Sequence, residues 1–155
     1  MDVKPIAYNG LKGAVGMFLK DLEAIPDAAF NETFGDKTRT VADIVFEVNM
    51  VNDHVGFALR GEKGFDWPED EGWIKAPEDF RTKQTVIEAF QKSTDKVLAT
   101  IEAFSEADME ETVQTEHGDR TRFQRCQFMT LHLWYHSGQL NFIQTLLGDS
   151  GWNWK

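Results

Sequence analysis

A chain of 155 residues, 41% hydrophobic and 27% charged, has the composition of a folded domain and is too short for two comfortable cores. Sixteen lysines and arginines face 26 aspartates and glutamates, and the formal charge of −10 repels phosphate backbones and anionic lipid, arguing against nucleic-acid binding. The single cysteine, Cys126, excludes an internal disulfide and a multi-cysteine zinc ribbon, and no apolar run is long enough to cross a bilayer.

Four long segments carry helical periodicity. The first runs from about Ile6 to Ile25, with Leu11, Val15, Phe18, Leu19 and Leu22 on one face, and Pro26 stops it. The second opens at Thr40, with Asp43 three residues on as a variant capping box, and continues through Val41, Ile44, Val45, Val48, Val51 and Val55 to Gly61. Its valines favour a strand by propensity, but its length and three-and-four spacing favour a helix. Between Gly61 and Phe80 lies a long connection with Trp67 and Trp73, read equally as a plug for the bundle end or as a lid.

The third segment, from about Thr82 to Phe104, aligns Val86, Phe90, Val97, Leu98 and Ile101. The fourth starts at a Thr121–Gln124 capping box and ends where Gly148 supplies a C-terminal glycine. Four helices of roughly 20 residues span about 30 Å each, enough for an all-α four-helix bundle. No segment alternates strongly enough to predict a sheet. The tail GDSGWNWK adds Trp152 and Trp154, which are expected to dock on their own domain or between subunits. The opening MDVKPIAYNG has no signal-peptide core, so the expectation is a cytoplasmic single domain over residues 1–155.

The chemistry concentrates in the fourth segment. His132 and His136 are one turn apart on one helix face, with Gln139 a turn further. Phe128, Met129, Leu140, Ile143 and Leu147 are read onto the same stripe, which turns both imidazoles inward. Two histidines at this spacing can ligate one divalent ion, although a hydrogen-bonded core histidine is the commoner role for either alone. Glu47, on the apolar face of the second segment between Ile44 and Val51, is the third candidate ligand, because an ionised carboxylate there needs a counter-charge. His54, seven residues on, is the reserve ligand. The alternative for Glu47 is a solvated carboxylate or one hydrogen-bonded to the histidines without metal.

Other residues carry weaker signals. Cys126 falls on another helix face and reads as an inert core thiol, and His117 as a solvated loop residue. Arg120, Arg122 and Arg125 gather positive charge at the start of the fourth segment, for an anionic substrate or, by default, for salt bridges. Tyr135 and the loop tryptophans are candidates for the mouth of a pocket.

The run HLWYHSGQL, His132 to Leu140, resembles the H-x-x-x-H-x-G-Q signature of the DinB-like superfamily, and RTVADIVFEV, Arg39 to Val48, resembles that family's second helix. The resemblance implies an up-down-down-up four-helix bundle, commonly dimeric, with a metal between the second and fourth helices. It carries two ligands onto His132 and His136, and the family's third, a histidine, onto the position of Glu47. A two-histidine, one-glutamate set suits catalytic zinc or a ferrous, nickel or manganese ion. The resemblance further implies a metal-dependent thiol S-transferase or hydrolase that acts on a small molecule. A low-molecular-weight thiol such as bacillithiol or mycothiol is the implied co-substrate. Gln139 has two readings, orienting a ligand histidine through a hydrogen bond or packing its helix face. The competing expectation is a non-catalytic dimeric binding or stress-response module with a degenerate, metal-free site.

Overall fold

A computed structural model describes residues 2–68, 73–115 and 118–155. His117 therefore lies outside the described residues. The four expected helices are α1 (Val3–Ala24), α2 (Val41–Leu59), α3 (Lys83–Ala103) and, after a short insertion, α5 (Arg122–Leu146). Pro26 ends α1 as expected, and a 3₁₀ turn follows over Asp27–Asn31. Thr40 and Asp43 exchange both bonds of a capping box at the start of α2, and Thr121 and Gln124 do the same for α5. Gly148, at φ +88°, terminates α5 in the left-handed conformation that a side chain disfavours.

Two elements were not expected. A five-residue helix α4 (Glu106–Glu110) is closed by its own capping box from Ser105 and Asp108. A two-residue antiparallel ribbon pairs β1 (Thr112–Val113) with β2 (Arg120–Thr121). Neither is long enough to show a period in the sequence. Arg122 ties this insertion to the bundle: its Nε donates to Leu59 O at 2.7 Å and its Nη1 to Asp108 O at 3.0 Å. The same guanidinium also bonds the Glu111 carboxylate and lies 4.8 Å from the Phe104 ring centroid. It is a structural clamp rather than a substrate residue.

Pairs of contacting residues fix the helix directions. At the start of α1, Lys4 Nζ reaches Glu102 O at 2.7 Å, and at the start of α3, Lys83 Nζ reaches Ile25 O at 2.8 Å, so α1 and α3 are antiparallel. Gly10 faces Thr130 and Asp21 faces Asn141, so α1 and α5 are parallel. Leu59 meets Arg122 while Glu47 meets His132 and His136, which makes α2 antiparallel to α5. Phe46 stacks edge-on to Phe80 at 5.2 Å and Gly56 abuts Val97, so α2 and α3 are parallel. The topology is up-down-down-up.

That parallel pair explains the long connection. Residues 60–82 must return the length of α2, about 28 Å, before α3 can start. Asp43 receives the returning chain: it accepts from Ala76 N at 2.8 Å and lies 3.8 Å from Arg81 Nη1. Neither tryptophan plugs the bundle. Trp67 is half-buried beside His54, and Trp73 is exposed, with Arg39 5.0 Å from its ring centroid.

The core follows the predicted stripes. Leu11, Val15, Phe18 and Leu22 of α1 meet Val86, Phe90, Val97 and Ile101 of α3, with the Phe18 and Phe90 centroids 4.7 Å apart. Each such side chain contributes roughly 1.5–3 kcal/mol on burial. Cys126 is buried, its thiol pushed by desolvation up to about 12, so it stays protonated and inert. No described helix is long and apolar enough to cross a membrane.

Candidate metal centre

α5 presents His132 and His136 toward α2, where Glu47 faces them. The two imidazole Nε2 atoms are 3.1 Å apart, and Glu47 Oε1 lies 3.8 Å from the first and 3.9 Å from the second. One donor atom from each residue fits within a 4.8 Å sphere of mutual distances. His136 is 1% exposed, and its Nδ1–H donates to Gln139 Oε1 at 2.9 Å, which fixes the tautomer with the lone pair on Nε2. Burial, with the neighbouring His132, pushes His136 down to about 4, against the opposing pull of Gln139 and Glu47. It is therefore neutral at physiological pH. Tyr135 packs edge-on against it at 4.8 Å while remaining exposed.

Arg39 was not foreseen as part of this centre. Its guanidinium pairs with Glu47 Oε2 and also donates to Asp43 O at 3.1 Å. Burial raises the Glu47 pKa, but the imidazole of His132 and the charge of Arg39 outweigh it, so the carboxyl titrates below its ordinary value. The counter-charge that Glu47 requires thus comes from a residue eight positions earlier, across the capping turn. The sequence signal is limited to proximity: Arg39 precedes the Thr40 cap, and the path of the chain there decides that it meets Glu47.

The donor set fits a divalent ion. Two nitrogens each bound at about 2.1 Å stand about 3.0–3.4 Å apart on a tetrahedral or octahedral shell, and the histidine pair already has that spacing. Two facing lone pairs at 3.1 Å would repel, so without an ion His132 must donate its Nε2–H to His136. Its Nδ1 is then a buried acceptor, and that atom has no hydrogen-bond partner among the described residues. An ion on Nε2 would leave the same atom an unpaired donor, so the fit rests on the spacing of the two nitrogens.

His54 does not join the triad. Its ring is held edge-on by Phe65 at 5.5 Å and Trp67 at 5.9 Å, and a Cβ on Gly64 would come 2.8 Å from its Nδ1. It lines a cavity of about 750 Å³ that also reaches Glu47 and His132. Phe128, which the helical spacing puts on the inward stripe, is instead 44% exposed, stacked on His132 at 5.8 Å and lining the same cavity. A three-and-four pattern does not separate a side chain at the margin of a stripe from one at its centre. Trp67 and Arg125 border the cavity, whereas Tyr135 and Trp73 border a separate groove of about 450 Å³ with Arg39 and Gln139 at its edge.

A second polar cluster also escaped the sequence reading. Asp21 of α1 is fully buried and accepts from Ser137, from Asn141 Nδ2 at 2.9 Å and from Trp154 Nε1 at 2.7 Å. Desolvation raises its pKa in spite of these bonds. Trp154 also packs on Trp134 at 5.3 Å, so this tail residue docks on its own bundle, while Trp152 stays 71% exposed.

Comparison with known proteins agrees with this fold. A conserved protein from Enterococcus faecalis, known from its crystal structure, superposes with a TM-score of 0.72 over 96% of this chain and 99% of that one, at 18% identity. The likeness extends the fold and nothing finer. No curated protein matches the chain. Residues 10–140, which contain Glu47, both histidines and Gln139, match the DinB superfamily, and the chain belongs to that family.

Proposed function

We propose that Glu47, His132 and His136 hold one divalent cation, zinc, nickel, manganese or iron, and that the protein uses it as a thiol S-transferase or hydrolase on a small molecule. The observation that carries this reading is the convergence of two inward imidazoles and an ionised carboxylate, with Glu47 and His132 at the wall of a cavity and His136 buried behind them. A bound ion of this kind acts as a Lewis acid that lowers the pKa of a thiol or water. The remaining work belongs to the side chains. Gln139 fixes the His136 tautomer so that its Nε2 lone pair faces Glu47 and His132. Arg39 keeps Glu47 ionised and turns one of its oxygens away, leaving Oε1 toward the imidazoles. Burial keeps His136 free of a competing proton.

The reading takes the protein as a cytoplasmic homodimer that acts on neither nucleic acid nor membrane. Support for the dimer comes from α5, whose outer face exposes Leu131, Tyr135, Phe142 and Leu146 at helical spacing. This face, rather than the tryptophan tail, is the better candidate for the subunit interface.

The test is metal content by inductively coupled plasma mass spectrometry, on untagged protein purified without chelator. Near-stoichiometric metal, lost in His136→Ala, is the expected result. One observation favours the rival reading, a metal-free binding module: Arg39 already neutralises Glu47. Absence of metal, with no thermal stabilisation by any added divalent ion, would select that reading.

A further inference from the structure

The outward face of α5 differs in composition from the chain that carries it. The chain is 27% charged, yet residues 126–148 contain no aspartate, glutamate, lysine or arginine. A solvated helix face ordinarily carries such residues. This one exposes Leu131 (67%), Tyr135 (59%), Phe142 (64%) and Leu146 (48%). With Gly138 included, the steps from Leu131 to Phe142 are four, three and four residues, the repeat of a helix that packs lengthwise on another helix.

Gly138 sits at the middle of this seam and is exposed. Glycine inside a helix is unfavourable relative to alanine, and no packing among the described residues requires it: a Cβ built at position 138 meets no atom within 4 Å. The missing side chain leaves a notch between Tyr135 and Phe142. That notch opens into the groove of about 450 Å³, which Gln139 and Arg39 border on the side of the triad and Trp73 on the side of the connection after α2.

Two features identify what covers the face. Recognition of an unlike protein draws on complementary charge, and these residues offer none; two copies of a chain of charge −10 repel least where neither carries charge. The bulk is also arranged as a two-fold axis needs. In an antiparallel pair whose axis passes beside Gly138, position 135 of each copy faces position 142 of the other, and 131 faces 146. Exposed aromatic then meets exposed aromatic, and leucine meets leucine.

We propose that a second copy of this chain covers this face, its α5 antiparallel to the first and crossing it at Gly138. The facing glycines let the two helix axes approach closely. Tyr135 of each copy enters the groove of the other beside Phe142, which closes that groove over Gln139 and Arg39. The inference deepens the homodimer reading above and rests on it, adding the axis, the direction of the helices and the residue that each copy lends to its neighbour's groove.

The experiment joins light scattering at micromolar concentration to disulfide cross-linking, on the full chain. The parent is expected at the mass of two chains. Gly138→Gln places a helix-favouring side chain where its own subunit has room, and should give the mass of one chain with its helical circular dichroism retained. Gly138→Cys should oxidise to a covalent dimer, since Cys126 is buried and takes no part. Tyr135→Cys mixed with Phe142→Cys should form the mixed disulfide in excess over either self-linked product. A parent with the mass of one chain overturns the proposal and the homodimer reading together. A dimer that survives Gly138→Gln, or that Gly138→Cys does not cross-link, overturns the proposal and leaves the homodimer reading standing. Self-linking of Tyr135→Cys in excess over the mixed product overturns the antiparallel arrangement, and the proposal with it.

Discussion

Replacing Arg39 with methionine separates the role of a protein counter-charge from that of a metal. The Arg39 side chain is 7% exposed and that of Glu47 18%, so their pairing is screened less than a surface salt bridge. Charges in contact at an effective dielectric constant near 20 attract by about 4 kcal/mol, and removing one member of a fully buried pair costs about 3–5 kcal/mol. Glu47 retains some solvent and two imidazoles that can share a proton, so the expected loss in chelated protein is smaller, about 2–3 kcal/mol. Methionine retains an apolar chain beside Trp73, which limits the packing loss. If a divalent ion takes over as counter-charge, the deficit shrinks when metal is added, to below about 1 kcal/mol, and the variant binds metal more tightly than the parent by about tenfold or more. Urea unfolding at pH 7.5, with chelator and then with saturating metal, measures both halves. A chelated variant within about 0.5 kcal/mol of the parent would refute the counter-charge argument. A deficit that metal leaves untouched would refute the shared site.

Three further outcomes follow from the same geometry. Gln139→Met removes the acceptor for His136 Nδ1–H, and metal affinity measured by competition with a chelating dye should fall about 10- to 100-fold with the fold intact. Because His136 titrates near 4 in the folded chain against an ordinary 6.5, the unfolded chain binds its proton first. Its contribution is therefore fully present above about pH 6.5 and is lost as pH falls toward 4, by up to about 3 kcal/mol in metal-free protein. Urea melts at pH 7, 5 and 4 should show that slope flattened in His136→Gln. Leu131→Asp combined with Phe142→Asp places charge on the exposed face of α5, at positions 67% and 64% exposed, and should convert a dimer to a monomer in light scattering at micromolar concentration. An unchanged mass would locate the interface elsewhere.

Much of this molecule was legible in single segments. The caps at Thr40 and Thr121, the stop at Pro26, the glycine at position 148 and the four apolar stripes each depend on residues within a turn or two of one another. The placement of His132 and His136 on one face is likewise a property of one helix. The same reasoning misplaced Phe128 and missed α4 and the short ribbon, because a side chain at the margin of a stripe and elements of a few residues leave no period to read. It also could not assign the Glu47 counter-charge. A carboxylate on an apolar face announces that something must neutralise it, but the neutralising group is chosen by the path of the chain before Thr40, which brings Arg39 against it. Asp21 is the same case, with its partners on α5 and in the tail. That α2 and α3 run parallel, so that 23 residues return along the bundle to border both the cavity and the groove, was likewise implied by family resemblance and decided by packing. Helical hydrogen bonds and the 3.6-residue period act within a segment, so sequence alone determines them. Charge compensation and cavity walls are made by groups far apart in the chain, and they exist only once the helices have chosen their neighbours.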